Sequence, residues 1–335
     1  MDRVRTILTV VAISTLTTCG ALLIVGTNPV DVFSAFFKGT FSSWRHFAHV
    51  INVWIPLVIC SCGLLFTFSL GLWNIGVEGQ IMLGAVGTAW VMRHLADMTN
   101  PTVTLGIAFL MACLLGAIWA TLSGILKIKS NVHEIFSGLG LNFVAQALVL
   151  WLIFGPWKRP GVASMSGTRP FPAAVWFPVP EGWRFSPIAL VAALLVMGIT
   201  AWIFISTRWG LLIRAVGNNS RAAEVHGISI NGNFLLAMAV AGFLAGMTGY
   251  YQAVFVYHRL IPAISSNYGY LSLLVVMLAQ YRWTPVPFIA LLFAMLHVGS
   301  IQLPLTLNLD SSLGGVIQGI LVLTTLGVVH FRRNS

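Results

Sequence analysis

The sequence predicts an all-α polytopic membrane protein with about ten transmembrane helices, some of them short or broken. Three observations carry this. The 335-residue chain is 58% hydrophobic and only 8% charged, whereas soluble domains carry about 25% charged residues. Its mean hydropathy is +0.90. Its 18 Lys and Arg, against 8 acids, sit in short clusters between long apolar runs, as in multi-pass membrane proteins. A disordered chain is excluded by the same composition. The net charge of +10 reads as topology and lipid-headgroup contact. No Lys/Arg stripe with interleaved aromatics points to nucleic acid. Ten spans use roughly 200 residues, so no loop can hold a separate soluble domain. Residues 1–335 form one transmembrane domain.

The spans follow from continuous apolar length. The first covers Ile7–Gly26, behind Arg3 and Arg5. Residues Asn28–His46 carry Phe33, Phe36, Phe37 and Phe41 at roughly helical spacing, which suits a helix lying in the interface. His49–Leu70 is the second span, followed by a polar, glycine-rich stretch, Gly71–Gln80, and a short third span, Ile81–His94. Val103–Leu126 and Ile135–Phe154 come next, then a loop, 155–186, with six prolines. Pro187–Ser206, the polar stretch 207–233, Phe234–Tyr257, Asn267–Gln280, Pro285–Leu303 and Leu313–Val329 complete the chain. An even number of spans puts both termini on one side. With that side inside, ten basic residues lie in inner segments and eight in outer ones, and four of the eight fall in the 155–186 loop. The expected location is a bacterial-type cytoplasmic membrane, with both termini cytoplasmic.

Cys19, Cys60, Cys62 and Cys113 all lie in apolar runs and read as inert buried thiols, with no metal or disulfide framework. Met1–Cys19 faintly resembles a lipoprotein signal. Thr18 before the cysteine and an apolar run continuing to Val25 favour an uncleaved first helix. No phosphate-binding loop, zinc-protease helix or nucleophile elbow is present. The acids are scattered, so paired-carboxylate catalysis is disfavoured and no cofactor is expected. Only Glu78 and His297 could serve as buried coupling groups, and His297 reads better as a satisfied interior histidine.

Three segments carry information. In the first, Asn74, Gly76, Glu78, Gly79 and Gln80 mark a broken helix, tolerated in a membrane where it is buried in protein or lines a wet cavity. Glu78 reads as a cap that complements the helix dipole near the inner interface; a substrate or gating role is the other reading. The second is 207–233, suited to a helix on the inner surface. Asn218, Asn219 or Ser220 caps it, Arg221–Val225 forms its body, Gly227 ends it, and Arg214 and Arg221 are free to bond acidic partners. The third is the set of amides and aromatics in the spans. Asn142, Phe143 and Gln146 fall within one turn, with Asn142 and Gln146 on one face, and Trp54 and Gln252 follow. Helix–helix hydrogen bonding is one reason for such amides, and recognition of a solute's polar edge is another.

The run Gly71–Ala85, GLWNIGVEGQIMLGA, strongly resembles the signature of permease subunits of ABC importers of the nucleoside and simple-sugar class. Lys129–Ile135 with Gly140–Ala145 looks like a second family stretch. Phe154–Phe171 resembles the outer loop of the nucleoside branch, and Gly210–Ile230 its cytoplasmic coupling segment. The likeness runs in order from about residue 20 to 330. His133 stands where the family usually has Asn, Trp73 where Phe is usual, and Ser137-Gly138-Leu139-Gly140 replaces a Ser-Thr-Leu-Met type run. The resemblance implies a non-catalytic permease moving a nucleoside or related small polar solute inward. It implies cytoplasmic ATP-binding subunits seated on Arg214, Gly217, Asn219, Arg221, Ala222, Ala223 and Gly227. It also implies an external substrate-binding protein and a second permease, paralogous or identical. Two other readings stand beside it: an ion-coupled secondary transporter using Glu78, and a membrane enzyme acting on a lipid-linked substrate.

Overall fold

The computed structural model describes residues 2–24, 26–159, 161, 167–177, 179–180, 182–307, 309–310 and 312–334, without the side chains of 2–11, 302, 305–306, 326 and 329–334. Parts of the outer loop, including Pro160, 162–166 and Glu181, and the side chain of Gln302 thus lie outside the described residues. The described chain is helical throughout: α1 (Asp2–Ile24), α2 (Pro29–Phe41), α3 (Trp44–Phe68), α4 (Val77–Leu95), α5 (Pro101–Ser130), α6 (Glu134–Phe154), α7 (Pro187–Ser206), α8 (Arg208–Asn218), α9 (Ser220–Val225), α10 (Ile230–Tyr251), α11 (Tyr268–Leu278), α12 (Val286–Ser300), α13 (Gln302–Leu307) and α14 (Leu313–Asn334). Helices α1, α3–α7, α10–α12 and α14 correspond to the ten apolar runs of the sequence. Of these, α3, α5, α6, α7 and α10 with its continuation to Val256 are individually long and apolar enough to cross a bilayer. The apolar stretches of α11, α12 and α14 are shorter.

Local chemistry sets many of the ends. Proline opens α2, α5 and α7, where its missing N–H costs nothing, and Asn28, Asn100 and Ser186 cap those starts. Asn131 ends α5 in the left-handed conformation at φ +53°. His133, at the position where the resembled family usually has Asn, accepts from Ile135 N–H through Nδ1 and caps α6 as an Asn would. Helix α2 turns 111° from α1 and exposes Phe33, Phe37 and Phe41 while burying Phe36.

Helix α3 is the central post. It is apolar all round, and 89% of its best membrane window is buried. Helices α7, α10, α11 and α12 pack around it. The most extensive helix–helix contact is that of α5 with α10. Ala112, Gly116 and Ala120 of α5 face Gly242 and Gly246 of α10, with small residues four apart on both sides. A Cβ on Gly246 would stand 2.2 Å from the Ala112 carbonyl oxygen. Across the seam, Gly84 of α4 also lies against Gly246. The exteriors of α5, α6 and α7 remain largely exposed, with 33%, 33% and 22% of their windows buried.

The loop after α6 folds back over the segment that follows α10. Thr168 N–H donates to Leu260 C=O at 2.9 Å, Leu260 N–H donates to Thr168 Oγ1 at 3.1 Å, and Phe171 N–H donates to His258 C=O at 2.8 Å. Trp176 stacks on His258 at 4.1 Å.

Candidate functional site

Two interrupted helices meet inside the bundle. After α3 the chain turns through Gly71, at φ +77°, and restarts as α4. Its N-cap residue, Gly76, offers no side-chain cap, so the first N–H groups of α4 need partners from elsewhere. Asn142 of α6 supplies one. Its Oδ1 accepts Gly79 N–H at 2.8 Å, and its Nδ2 donates to Ile75 C=O at 2.9 Å and to the Tyr270 hydroxyl at 3.3 Å. Asn74 and Gln80 form a reciprocal amide pair at 2.7 and 3.2 Å. Gly138 permits α6 to approach this closely: a Cβ there would lie 2.7 Å from Gly76 N. Asn142→Ala leaves the buried Gly79 N–H and Ile75 C=O without these bonds, at about 1–3 kcal/mol each. Thermal unfolding of the purified variant is expected at a clearly lower temperature, with membrane insertion retained.

This cap in trans corrects the sequence expectation for the third span. The helix starts at Val77 rather than Ile81, so Glu78, Gly79 and Gln80 form its first turn. Glu78 is buried, at 1% exposure. There it caps another helix. Asn267, at the start of α11, has φ +59° and no side-chain cap. The Glu78 carboxylate Oε1 accepts Tyr270 N–H at 3.4 Å, a favourable place for a carboxylate. A Cβ on Gly269 would stand 2.9 Å from Glu78 N, so the two segments touch through backbone.

The remaining span residues fall in different places. Gln146 donates to Pro262 C=O at 3.1 Å, and Trp54 Nε1–H donates to Pro287 C=O at 2.8 Å. Phe143 is 75% exposed on the outside of α6. The chain therefore does not gather Asn142, Phe143 and Gln146 into one pocket: at neighbouring positions on a helix, Phe143 faces away from the side that Asn142 and Gln146 share. Gln252 is different. It opens a π-helical turn, Gln252–Val256, that continues α10. Its amide is 1% exposed beside Tyr268, yet neither its nitrogen nor its oxygen makes a well-formed hydrogen bond. A buried, unsatisfied amide at a π turn combines two features typical of functional positions.

At the C-terminal end of α3, beside the turn into α4, the 207–233 stretch forms two helices rather than one. Thr207 caps α8 through Gly210 N–H at 3.1 Å, and Asn219 caps α9 through Ala222 N–H at 3.0 Å. Gly227, at φ +78°, follows the end of α9. Trp209 stacks on Phe66 at 5.1 Å. Gly217 lies directly on Ser69, where a Cβ would stand 1.8 Å from the Ser69 carbonyl oxygen. Arg214, Asn219, Arg221 and Ala222 are exposed and Val225 is 86% exposed, while Ala223 is 4% exposed. Among the described residues the Lys/Arg–carboxylate ion pair is Lys127–Glu134 at 2.6 Å, with the His133 ring 3.5 Å from the same carboxylate, so neither Arg214 nor Arg221 is paired with an acid. Glu134 also accepts Trp73 N–H at 3.4 Å, tying the α5–α6 turn to the interrupted segment. No group of three or more His, Cys, Asp or Glu that could hold a metal ion occurs among the described residues.

A bundle of apolar helices with interrupted helices meeting inside it defines a multi-pass membrane protein of the transporter type. Residues 46–326 match the family described as branched-chain amino acid transport system / permease component, and the chain belongs to that family. It is 29% identical over 324 residues to the glucose ABC transporter permease protein TsgB13 of Haloferax volcanii, covering 93% of this chain and 84% of that one. It is 24% identical over 306 residues to the guanosine ABC transporter permease protein NupP of Bacillus subtilis, covering 90% and 87%. It is 24% identical over 287 residues to the nucleoside ABC transporter permease protein NupB of Lactococcus lactis, covering 83% and 79%. The chain is a permease subunit of the ABC-importer kind.

Proposed function

We propose that this permease moves a nucleoside or a related small polar solute, such as a sugar, inward across a bacterial-type cytoplasmic membrane, with both termini cytoplasmic. ATP is hydrolysed by separate cytoplasmic subunits, an external binding protein delivers the solute, and a second permease, paralogous or identical, completes the conduit. The observation that carries this reading is the backbone contact between Gly217 and Ser69. It braces the exposed face of α8–α9 against the turn between α3 and α4, whose caps reach α6 and α11. A push received at Arg214, Arg221, Ala222 and Val225 is thereby passed to the interrupted helices without a flexible link. Alternating access needs only that the ATPase bind the two arrangements with different affinity.

Within the bundle, Gln252 is the group that meets the solute, because its amide has donor and acceptor capacity to spare. Asn142, Gln146 and Trp54 hold the surrounding backbone, and Phe143 contributes where the outside of α6 meets the second permease. Gln252→Leu tests this assignment by uptake of labelled guanosine and glucose into vesicles holding the assembled transporter. The variant loses only the weak contact with the Tyr268 hydroxyl, so its thermal unfolding temperature is expected to fall little while uptake falls steeply. Undiminished uptake would remove Gln252 from the pathway. The solute retained by the purified external binding protein identifies which of the two chemistries applies.

A further inference from the structure

A cavity of about 620 Å³ opens between the first turns of α5 and α7, with α10 behind it and the short 3-10 turn Ala173–Val175 beside it. Its walls are aromatic and apolar, including Phe109, Trp176, Phe177, Met247, Tyr250 and Phe255, and no Asp, Glu, Lys, Arg or His lines it. Nothing in the transport route described above uses it.

Its depth in the membrane follows from the tryptophans. Trp44 opens α3, Trp90 lies near the end of α4, Trp151 near the end of α6, and Trp176 and Trp183 in the loop before α7. Because consecutive helices run in alternating directions, all five fall at one end of the bundle. All are exposed, by 42–61%. Exposed tryptophans collected at one level mark a membrane–water interface. The cavity begins at that level, with Trp176 in its wall, and follows α5 from Thr102 to Phe109, about 10 Å into the hydrocarbon at 1.5 Å per residue.

Its mouth is on the bilayer-facing surface. Ile188 lines the cavity and is also 54% exposed; Val191 and Leu195 beyond it on α7, and Leu110 on α5, are 55%, 60% and 65% exposed. The interior is thus continuous with a surface that hydrocarbon covers. A nucleoside or sugar entering there would leave most of its hydroxyls unsatisfied, which is costly. Of the two tyrosine hydroxyls in the wall, that of Tyr251 is already committed to Asn52 Oδ1 at 2.9 Å.

We propose that this cavity is a lipid site that takes one acyl chain of a phospholipid from the leaflet on the tryptophan side. The chain packs against Met247, Tyr250 and Phe255, immediately before and within the π turn that begins at Gln252. The bound lipid therefore forms part of the wall that supports the break in α10.

The test uses the assembled transporter in nanodiscs containing a phospholipid with a diazirine midway along one acyl chain. After irradiation, labelled positions are mapped by mass spectrometry. Label is expected inside the cavity, on Phe109 or Met247, as well as on the exterior, on Leu110. Gly106→Leu fills the cavity. No atom lies within 4 Å of a Cβ at Gly106, so the side chain grows into open space. Ala192→Phe fills it from the α7 wall. Each filled variant is expected to lose the interior label and keep the exterior one, which also reports that the bundle is intact. Absence of interior label in the wild type, its persistence in both filled variants, or its loss on adding a soluble nucleoside would overturn the proposal.

Discussion

Gly246→Leu is expected to prevent recovery of a folded protein. The seam between α5 and α10 is backbone against backbone. At Gly246 the first added carbon alone would stand 2.2 Å from the Ala112 carbonyl oxygen and 3.0 Å from the Cys113 Cα. Neither atom can rotate away. The helices would have to separate by more than 1 Å, and because helices are stiff the gap opens along the whole contact. Gly116 on the opposite helix is as tight, with a Cβ position 2.2 Å from the Gly242 carbonyl oxygen. Lipid provides no hydrophobic drive to hold helices together, so contact distance is what the pair has to lose. Overpacking by one methyl costs about 1–3 kcal/mol, and leucine here falls in the class exceeding about 4 kcal/mol. Gly246→Ala should lower the thermal unfolding temperature of the purified protein. Gly198→Ala on α7, where a Cβ meets nothing within 4 Å, should leave it unchanged. Equal stability of the two variants would mean that α5 and α10 are not packed this way.

Arg221→Glu combined with Val225→Asp is expected to release the ATP-binding subunits while the permease still inserts and folds. Both side chains are exposed on α9, and Arg221 has no ion-pair partner among the described residues. Reversing a charge in a docked interface typically costs 2–5 kcal/mol, and a carboxylate at an apolar contact adds to that. A loss of about 4 kcal/mol corresponds to roughly a thousandfold in affinity. Ala223 is the wrong position for such a test despite its place in the same short helix. At 4% exposure it faces the permease itself, so Ala223→Asp would bury a carboxylate and disturb α9 directly. Pull-down of the ATPase with the double variant at wild-type yield would contradict docking on α9.

The letters made the helical inventory legible because each span is long, apolar and bounded by strong stop signals. Pro101, Pro187 and the Asn219 cap fall where the physical rules put them. The interior was less legible because its caps come from far along the chain. The start of α4 at Val77 depends on Asn142, and the start of α11 on Glu78, partners 63 and 192 residues away. No local pattern announces them, so the apolar run alone starts the third span at Ile81. The glycine seam was visible in part: Gly242 and Gly246 are four apart, as are Ala112, Gly116 and Ala120. What the sequence withheld was that these two rows face each other. In 207–233 the polarity was clear. The break into two helices arises because Asn219 leaves helical geometry, at φ −155° and ψ 96°, to cap α9.

The central claim is that the motive force comes from a separate ATPase through α8 and α9, and vesicle uptake tests it most directly. Permease pair, ATPase and external binding protein are reconstituted with ATP in the compartment that the ATPase faces, and labelled solute is followed. Uptake should require both ATP and the ATPase, ignore an imposed proton gradient, and vanish with Arg221→Glu/Val225→Asp. Accumulation by the permease alone under a proton gradient, abolished by Glu78→Gln, would contradict the account and make Glu78 a coupling acid instead of a helix cap.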